Sequence, residues 1–459
     1  MIWEETSQNS DTFQPLFILP GKESEENVRK MAYKLDNDAS DCETFEMTLD
    51  DKNVQINCEF EFVGDGKVLK LCAGCGGADC TCCVFTAKEH HDHNNIDNGL
   101  PMNRSIALCH ELWNKLRKNK KGEIITKTGD YAIRKGQKKF PMLKFLDPTK
   151  SIPLTHFPIR MMSHYINVFI HLRARDHFPR GIPIMDGSFK FGAQEFVDIE
   201  HGLFIASAKE ELKLLIDCPD PHGSGGTTND GNTARLFLGK KRSGVIRIAL
   251  LRSDQERSDA DEILKNTFAI FRVVSSMRYV HMNKFEDLVK STMKKMTTAW
   301  PFAPTPISGI RMLLHCIEKM KKRGGRGLGH LNEGPLECGH KDRRRIWRYH
   351  TRQDCLENAI TDTMHYLVVK TNYIQRSLRE KVKKKKDPLV TDVDRIVASM
   401  FVDSGYPDDS GFVENNEIPE ESSDSSNESE SNDESDSEID AEWDSDSEYE
   451  NQIVADDSD

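Results

Sequence analysis

Glu337 opens the stretch with the most chemical content. The chain there reads Asn332-Glu333-Gly334-Pro335-Leu336-Glu337-Cys338-Gly339-His340-Lys341-Asp342-Arg343-Arg344-Arg345-Ile346-Trp347-Arg348-Tyr349-His350-Thr351-Arg352. Pro335 suits the first turn of a helix, where its missing N–H costs nothing. From there Glu337, Lys341, Arg344, Arg348 and Arg352 fall at helical spacing and share one face. One carboxylate therefore heads a row of cations, whereas a helix stabilised by its own ion pairs alternates signs. The pattern suits a metal-holding carboxylate whose helix then runs along a phosphate backbone. A solvated basic helix with an incidental Glu would give the same row. Gly339 shifts the balance a little towards function, since a glycine near a helix interior costs roughly 1 kcal/mol against Ala and often marks close backbone approach.

Two further groups of residues carry chemistry. Cys72-x2-Cys75 and Cys80-x2-Cys83, with Cys82 between and His90, His91 and His93 following, read as zinc ligands, because paired thiolates suit a tetrahedral Zn²⁺. The cluster offers more donors than four positions need, so the ligand set stays open. Asp65 lies in Gly64-Asp65-Gly66 after the alternating run Val54, Ile56, Cys58, Phe60, Phe62. That alternation predicts a half-buried strand over 54–62 with Asp65 at its carboxyl end, where sites gather in α/β sheets. A plain Gly-Asp-Gly turn is the alternative. Asp186, in Ile182-Pro183-Ile184-Met185-Asp186-Gly187, has a similar strand-end setting within an expected hairpin over 182–200.

The elements that would position these groups are mostly helical. Helical spacing predicts helices near Glu25–Leu35 and over 104–118, 157–172, 262–280, 283–296 and 355–385. The 157–172 segment is apolar enough to be core. Residues 217–232 read as a loop and 321–331 as a flexible Gly-rich basic linker.

The formal charge of −12 hides an asymmetry. Of 75 acidic residues, 23 lie beyond residue 402, where there is no Lys, Arg or His; the remaining 52 face 63 basic residues, a formal +11. A basic body with an acidic tail is expected of a nucleic-acid binder or of a protein with a polyanion-mimicking tail. Residues 403–459, dominated by Ser, Asp and Glu, are expected to be disordered and to suit an acid-directed kinase. Lys381-Val382-Lys383-Lys384-Lys385-Lys386 reads as a nuclear-localisation patch or a solvated helix end. No secretory leader and no apolar run long enough to span a membrane is visible. The clustered cysteines read as metal binding rather than as a disulfide framework.

Glu337-Cys338-Gly339-His340-Lys341, with Arg343, Arg344, Arg348 and Thr351-Arg352-Gln353, resembles the C-terminal catalytic segment of the V(D)J recombination-activating recombinase and its Transib-type transposase relatives. Phe62-x-Gly64-Asp65-Gly66-Lys67-Val68 resembles the second catalytic Asp of that family, and Cys80-x2-Cys83 falls where it has a zinc pair. Gly129–Gly136 and Gly231–Arg235 resemble further segments, in the family's order. The resemblance covers roughly residues 10–380. It implies a D-D-E, RNase H-like core in which carboxylates hold two Mg²⁺ or Mn²⁺ ions for DNA nicking and strand transfer. Asp65 and Glu337 would be two of the three carboxylates. Lys341, Arg344, Arg345, Arg348 and Arg352 would contact DNA, and Cys80, Cys83 and His315 would hold zinc.

The expected fold class is therefore α+β and mostly helical: a partial RNase H-like core interrupted by a long zinc-bearing helical insertion, with a disordered acidic tail. The expected divisions are 1–70 for the partial core, 71–320 for the insertion, 321–388 for the C-terminal catalytic and DNA-contacting helices, and 389–459 for the tail. The partners implied are double-stranded DNA, a second copy of the chain and an accessory recombinase subunit, in the nucleus. Two departures qualify this. No strand-borne Asp precedes Asp65, as if the chain began inside the core; Asp11, Asp36, Asp38, Asp41, Asp50 and Asp51 all lie in polar stretches. The family's second zinc His falls on Ile310, leaving Cys75, Cys82 or Cys316 as possible substitutes. Whether the chain is an enzyme is thus left open, and the alternative is a non-catalytic, zinc-containing DNA-binding or chromatin protein derived from a transposase.

Overall fold

The computed structural model describes residues 25–49, 52–64, 66–76, 80–85, 87–115, 135–178, 181–182, 194–216, 231–331, 345–352, 354–371 and 391–402. Met1–Pro407 form one compact unit and Asp408–Asp459 a second, which falls wholly outside the described residues. The described part is mostly helical with one small sheet. Its helices are α1 (Glu25–Asp41), α2 (Gly66–Ala73), α3 (Ala87–His90), α4 (His93–Asp97), α5 (Ile106–Lys115), α6 (His156–Arg173), α7 (Gln194–Leu212), α8 (Gly231–Leu238), α9 (Arg242–Ile248), α10 (Asp254–Val274) and α11 (Met282–Ala299). A continuous run follows: α12 (Ile307–Ile310), a π-helical turn (Arg311–His315) and α13 (Cys316–Lys322). Then come α14 (Leu356–Thr371) and α15 (Thr391–Met400).

The main core forms around α6, which is apolar on most of its faces and so must be covered on all sides. Helices α7, α8, α10 and α12 lie against it. Gly309 lets α12 approach closely, since a Cβ there would come within 2.7 Å of Met161 Sδ. Phe157 stacks on Phe271 at 6.0 Å, and Tyr165 meets Trp300 edge-on at 5.7 Å. The buried Tyr165 hydroxyl is satisfied by Thr267 Oγ1 at 2.6 Å. Helix α10 starts at a Ser253 cap, whose side chain accepts the Glu256 N–H, and Arg175 clamps the Glu256 carboxylate at 2.7 and 3.1 Å.

A second, smaller cluster joins α1, α2 and residues 142–146. Asp36 organises it. Its buried carboxylate accepts backbone N–H groups of Lys144 at 2.8 Å, Phe145 at 3.0 Å and Leu146 at 2.7 Å. Read from sequence as one of several acids in a polar stretch, Asp36 is a structural anchor.

Several expectations need correction. The predicted strand over 54–62 ends early: β2 is Lys52–Asn57, and it pairs antiparallel with β1 (Thr44–Leu49), which the sequence reading missed. Val54, Phe45 and Met47 are exposed, so this hairpin is not half-buried and is the one sheet among the described residues. Asp65 lies outside the described residues, between an extended segment ending at Gly64 and the start of α2. The hairpin expected over 182–200 gives way from Gln194 to helix α7; Asp186 is outside the described residues. The expected flexible linker over 321–331 is instead pinned. Leu328 is fully buried, its N–H reaches Val274 O at 2.7 Å, and Gly327 lies so close to Ser276 that a Cβ would sit 2.4 Å from its carbonyl oxygen. Helix α13 also runs across the division expected at 320/321.

Of the tail expected from residue 389, residues 391–402 are described and are folded. Helix α15 docks on α10, with Val393, Val397, Met400 and Phe401 in the main core. Arg242 and Arg272 pair with Asp392 and Asp394, and Val402 N–H reaches Tyr279 O at 3.0 Å. The acidic composition of residues 403–459 concealed that the twelve residues 391–402 carry an apolar helical face.

Truncation after Val402 should leave thermal stability near that of the full chain. Truncation after Val390 should remove on the order of 5 kcal/mol of buried apolar contact and lower the melting temperature sharply. Differential scanning calorimetry distinguishes the two. A second outcome concerns His164 on α6, which burial pushes down to about 4, with the charge of His91 adding to the effect. An unfolded His binds a proton near pH 6.5, so between about 6.5 and 4 the unfolded chain holds more protons. The stability is therefore present above that window and is lost as pH falls through it. Melting temperature should drop between pH 7 and pH 5, and drop less in His164→Gln.

Candidate metal centre

Cys80, Cys83 and His315 converge in the interior. Their donor atoms lie within 4.8 Å of one another and all three side chains are buried. This arrangement can hold a metal ion such as zinc. The two thiols come from the turn between α2 and α3, and the imidazole from the π turn between α12 and α13. A π turn departs from the 3.6 repeat, so the direction of His315 is set by packing against its surroundings.

A short segment without regular structure, Leu100–Arg104, joins the two halves. On one side Arg104 N–H donates to Cys82 O at 3.1 Å, Arg104 Nε to Cys83 O at 3.1 Å, and Val84 N–H to Asn103 Oδ1 at 3.0 Å. On the other side His315 Nδ1 meets Leu100 O at 3.1 Å, and Met102 N–H donates to the Glu318 carboxylate. A carbonyl can only accept, so Nδ1 of His315 carries the proton and Nε2 is left as the donor for a metal. That Nε2 is buried with no hydrogen-bond partner.

Electrostatics favour a thiolate at Cys80. Burial pushes its thiol up, but its polar neighbours, the Cys82 and Cys83 thiols first, outweigh this and hold it well below an ordinary thiol. Cys83 is pushed up, first by its hydrogen bond to Cys80 and then by burial. Arg311 is buried beside the Cys80 sulfur. Burial opposes its charge, yet the Cys80 and Cys82 sulfurs raise it, and its Nε and Nη2 have no hydrogen-bond partner. A metal cation would take both sulfurs as thiolates, releasing protons as it binds.

The other candidates are engaged elsewhere. Cys72 is buried in the second core cluster. Cys75 is hydrogen-bonded with Cys109 beside the buried Arg104. Cys82 Sγ donates to Ser151 O at 3.5 Å. His91 Nε2 accepts Thr305 N–H at 2.8 Å and His93 Nε2 meets Thr297 Oγ1 at 2.9 Å. Of Cys75, Cys82 and Cys316, none joins the three-residue set. His90 is buried, with Nε2 3.2 Å from Cys83 Sγ and its Nδ1 without a hydrogen-bond partner. Burial pushes His90 down to about 4, keeping it neutral at physiological pH.

Of the basic row, Glu337, Lys341 and Arg344 lie outside the described residues. Residues 345–350 are helical, with Ile346 buried and Arg345, Trp347, Arg348 and Tyr349 exposed. His350 stacks on Tyr366 of α14 at 5.2 Å. Arg352 is bound to Asp362 through Nη2 at 2.8 Å and Nε at 3.0 Å, and these bonds hold the Asp362 carboxyl down at about 2. Its charge is thus partly compensated, a partner that lies beyond the reach of helical spacing. No protein-family model matches the chain and no curated protein matches it.

Purified protein should carry one zinc per chain by elemental analysis. A chelator should lower its melting temperature, and His315→Ala or Cys80→Ser should lose the metal. Protein that contains no zinc after expression in zinc-supplemented medium, and takes up none, would remove the metal reading.

Proposed function

We propose that the protein is a DNA-binding protein of the D-D-E recombinase and transposase type, with a zinc-stabilised helical body. The observation that carries this reading is the convergence of Cys80 and Cys83 with His315, the ligand set that the resemblance implied from residues more than two hundred positions apart. The formal +11 of residues 1–402 supports a polyanionic partner. In this reading Asp65 and Glu337 are two metal-holding carboxylates of an RNase H-like core, loaded with Mg²⁺ or Mn²⁺. Lys341, Arg344, Arg345 and Arg348 track phosphates, with Arg352 contributing less because Asp362 holds it. A homodimer on paired DNA ends, an accessory recombinase subunit and a nuclear location belong to the same reading.

A non-catalytic role as a zinc-containing DNA-binding or chromatin protein is the second reading, and a specific observation favours it. Among the described acids before Asp65, Asp36 is consumed by backbone N–H groups and Asp38 pairs with Lys34 at 3.1 Å. Asp36 is therefore not available as the first metal carboxylate. Two carboxylates would position two metal ions poorly, and this chemistry depends on positioning.

DNA affinity measured against salt tests the binding. Each phosphate neutralised adds about 0.9 to the slope of log K against log salt on duplex DNA. Replacing Lys341, Arg344, Arg345 and Arg348 with Ala should flatten it by roughly three to four units, about equally for different sequences. Removing residues 403–459, with 23 acidic groups, should tighten binding. If neither change alters the affinity, the basic row is only a solvated face. With Mn²⁺ present, nicking that is abolished by Asp65→Asn and Glu337→Gln supports the enzyme, and binding without nicking supports the chromatin reading.

A further inference from the structure

We propose that His90 is the fourth ligand, closing Cys80, Cys83 and His315 into a Cys2His2 zinc site. The inference rests on the metal reading of that cluster and is independent of DNA binding. His90 Nε2 stands 3.2 Å from Cys83 Sγ. Sulfur and nitrogen ligands of one tetrahedral zinc, with Zn–S near 2.3 Å and Zn–N near 2.0 Å, are roughly 3.5 Å apart. The distance therefore already matches that of two ligands on one ion. The His90 ring meets the His315 ring edge-on, centroids 6.5 Å apart, so the two imidazoles face a common space.

Several neighbours are turned away from the cluster: Cys75 to Cys109, and His91 and His93 to Thr305 and Thr297. Ile310, at the position where the resemblance calls for a second His, has no donor atom. His90 is buried, faces the cluster through Nε2, and has no protein hydrogen-bond partner at Nδ1. Its nitrogen lies outside the 4.8 Å set of the other three donors, so loading draws the ring inward. Two thiolates cancel the dication charge and two neutral imidazoles add none, with the buried Arg311 guanidinium alongside. The ligand missing from the distant pair is thus supplied locally, seven residues after Cys83.

The test is zinc affinity by chelator competition, with cobalt substitution, on the full chain. His90→Ala should weaken zinc by more than about 100-fold, since loss of an outer-shell partner alone costs 10–100-fold. His91→Ala and His93→Ala should stay within a few fold, and Ile310→His should not tighten binding. If His90→Ala fails to fold, His90→Cys decides. It should retain the metal and raise the sulfur-to-cobalt charge-transfer intensity in the ratio of three thiolates to two. An unchanged cobalt spectrum in His90→Cys, or zinc affinity retained in His90→Ala, overturns the assignment while leaving the three-residue metal site standing. Tightening by Ile310→His with a neutral His90→Ala would place the fourth ligand at position 310 instead. Wild-type protein that binds neither zinc nor cobalt overturns this inference together with the metal reading.

Discussion

The body of this protein depends on one closure: the Cys80–Cys83 turn held against His315 across more than two hundred residues of intervening chain. Closing a loop of that length costs on the order of 5 kcal/mol in chain entropy. The compensation is local and specific. Leu100–Arg104 bonds to the cysteine turn on one side and to His315 and Glu318 on the other. A metal ion in the cluster would fasten the same closure, because it binds only when both halves are present.

Around that point, buried polar groups are placed where they tie segments together. Asp36 gathers three backbone N–H groups of residues 144–146, so α1 is fastened to the small core by charge-assisted hydrogen bonds. Arg104 and Arg311 lie buried beside the cysteines and lend positive charge to sulfurs that burial alone would keep protonated. The same logic recurs on α15, where Asp392 and Asp394 reach back to Arg242 and Arg272 while the apolar face enters the core. The chain thus returns from its C-terminal region to cover α10, and the residues 323–331 that precede the basic row are held in place by contacts with Ser275 and Ser276.

The electrostatic reading of the basic row changes once tertiary partners are known. Helical spacing places Arg352 with Lys341, Arg344 and Arg348, but a bidentate bond to Asp362 ties it to α14. Ile346 turns inward and fixes which side of residues 345–350 faces outward, leaving arginines interleaved with Trp347 and Tyr349. Such a surface combines charge with aromatic faces, the two features that suit a nucleic-acid partner.

Much of the helical framework was legible in the sequence, because a strong 3.6 repeat survives wherever one face is buried. Helix α6 was expected over 157–172 and spans His156–Arg173; α11 was expected over 283–296 and spans Met282–Ala299. The cysteine pair and His315 were also legible, through residue type and a family pattern. The β1–β2 hairpin was misjudged because alternation marks a strand without saying whether either face is covered, and here both stay largely exposed. Residues 323–331 and α15 were misjudged because Gly-rich and acidic composition describes a free chain, not one pinned by contacts distant in sequence. By itself the sequence determined the donors available: the clustered thiols, the neighbouring imidazoles and the basic row. Only the tertiary structure decided which of them meet, since the direction of His315 follows from a π turn, and the approach of His90 to Cys83 from the folding of a four-residue helix over the cysteine turn.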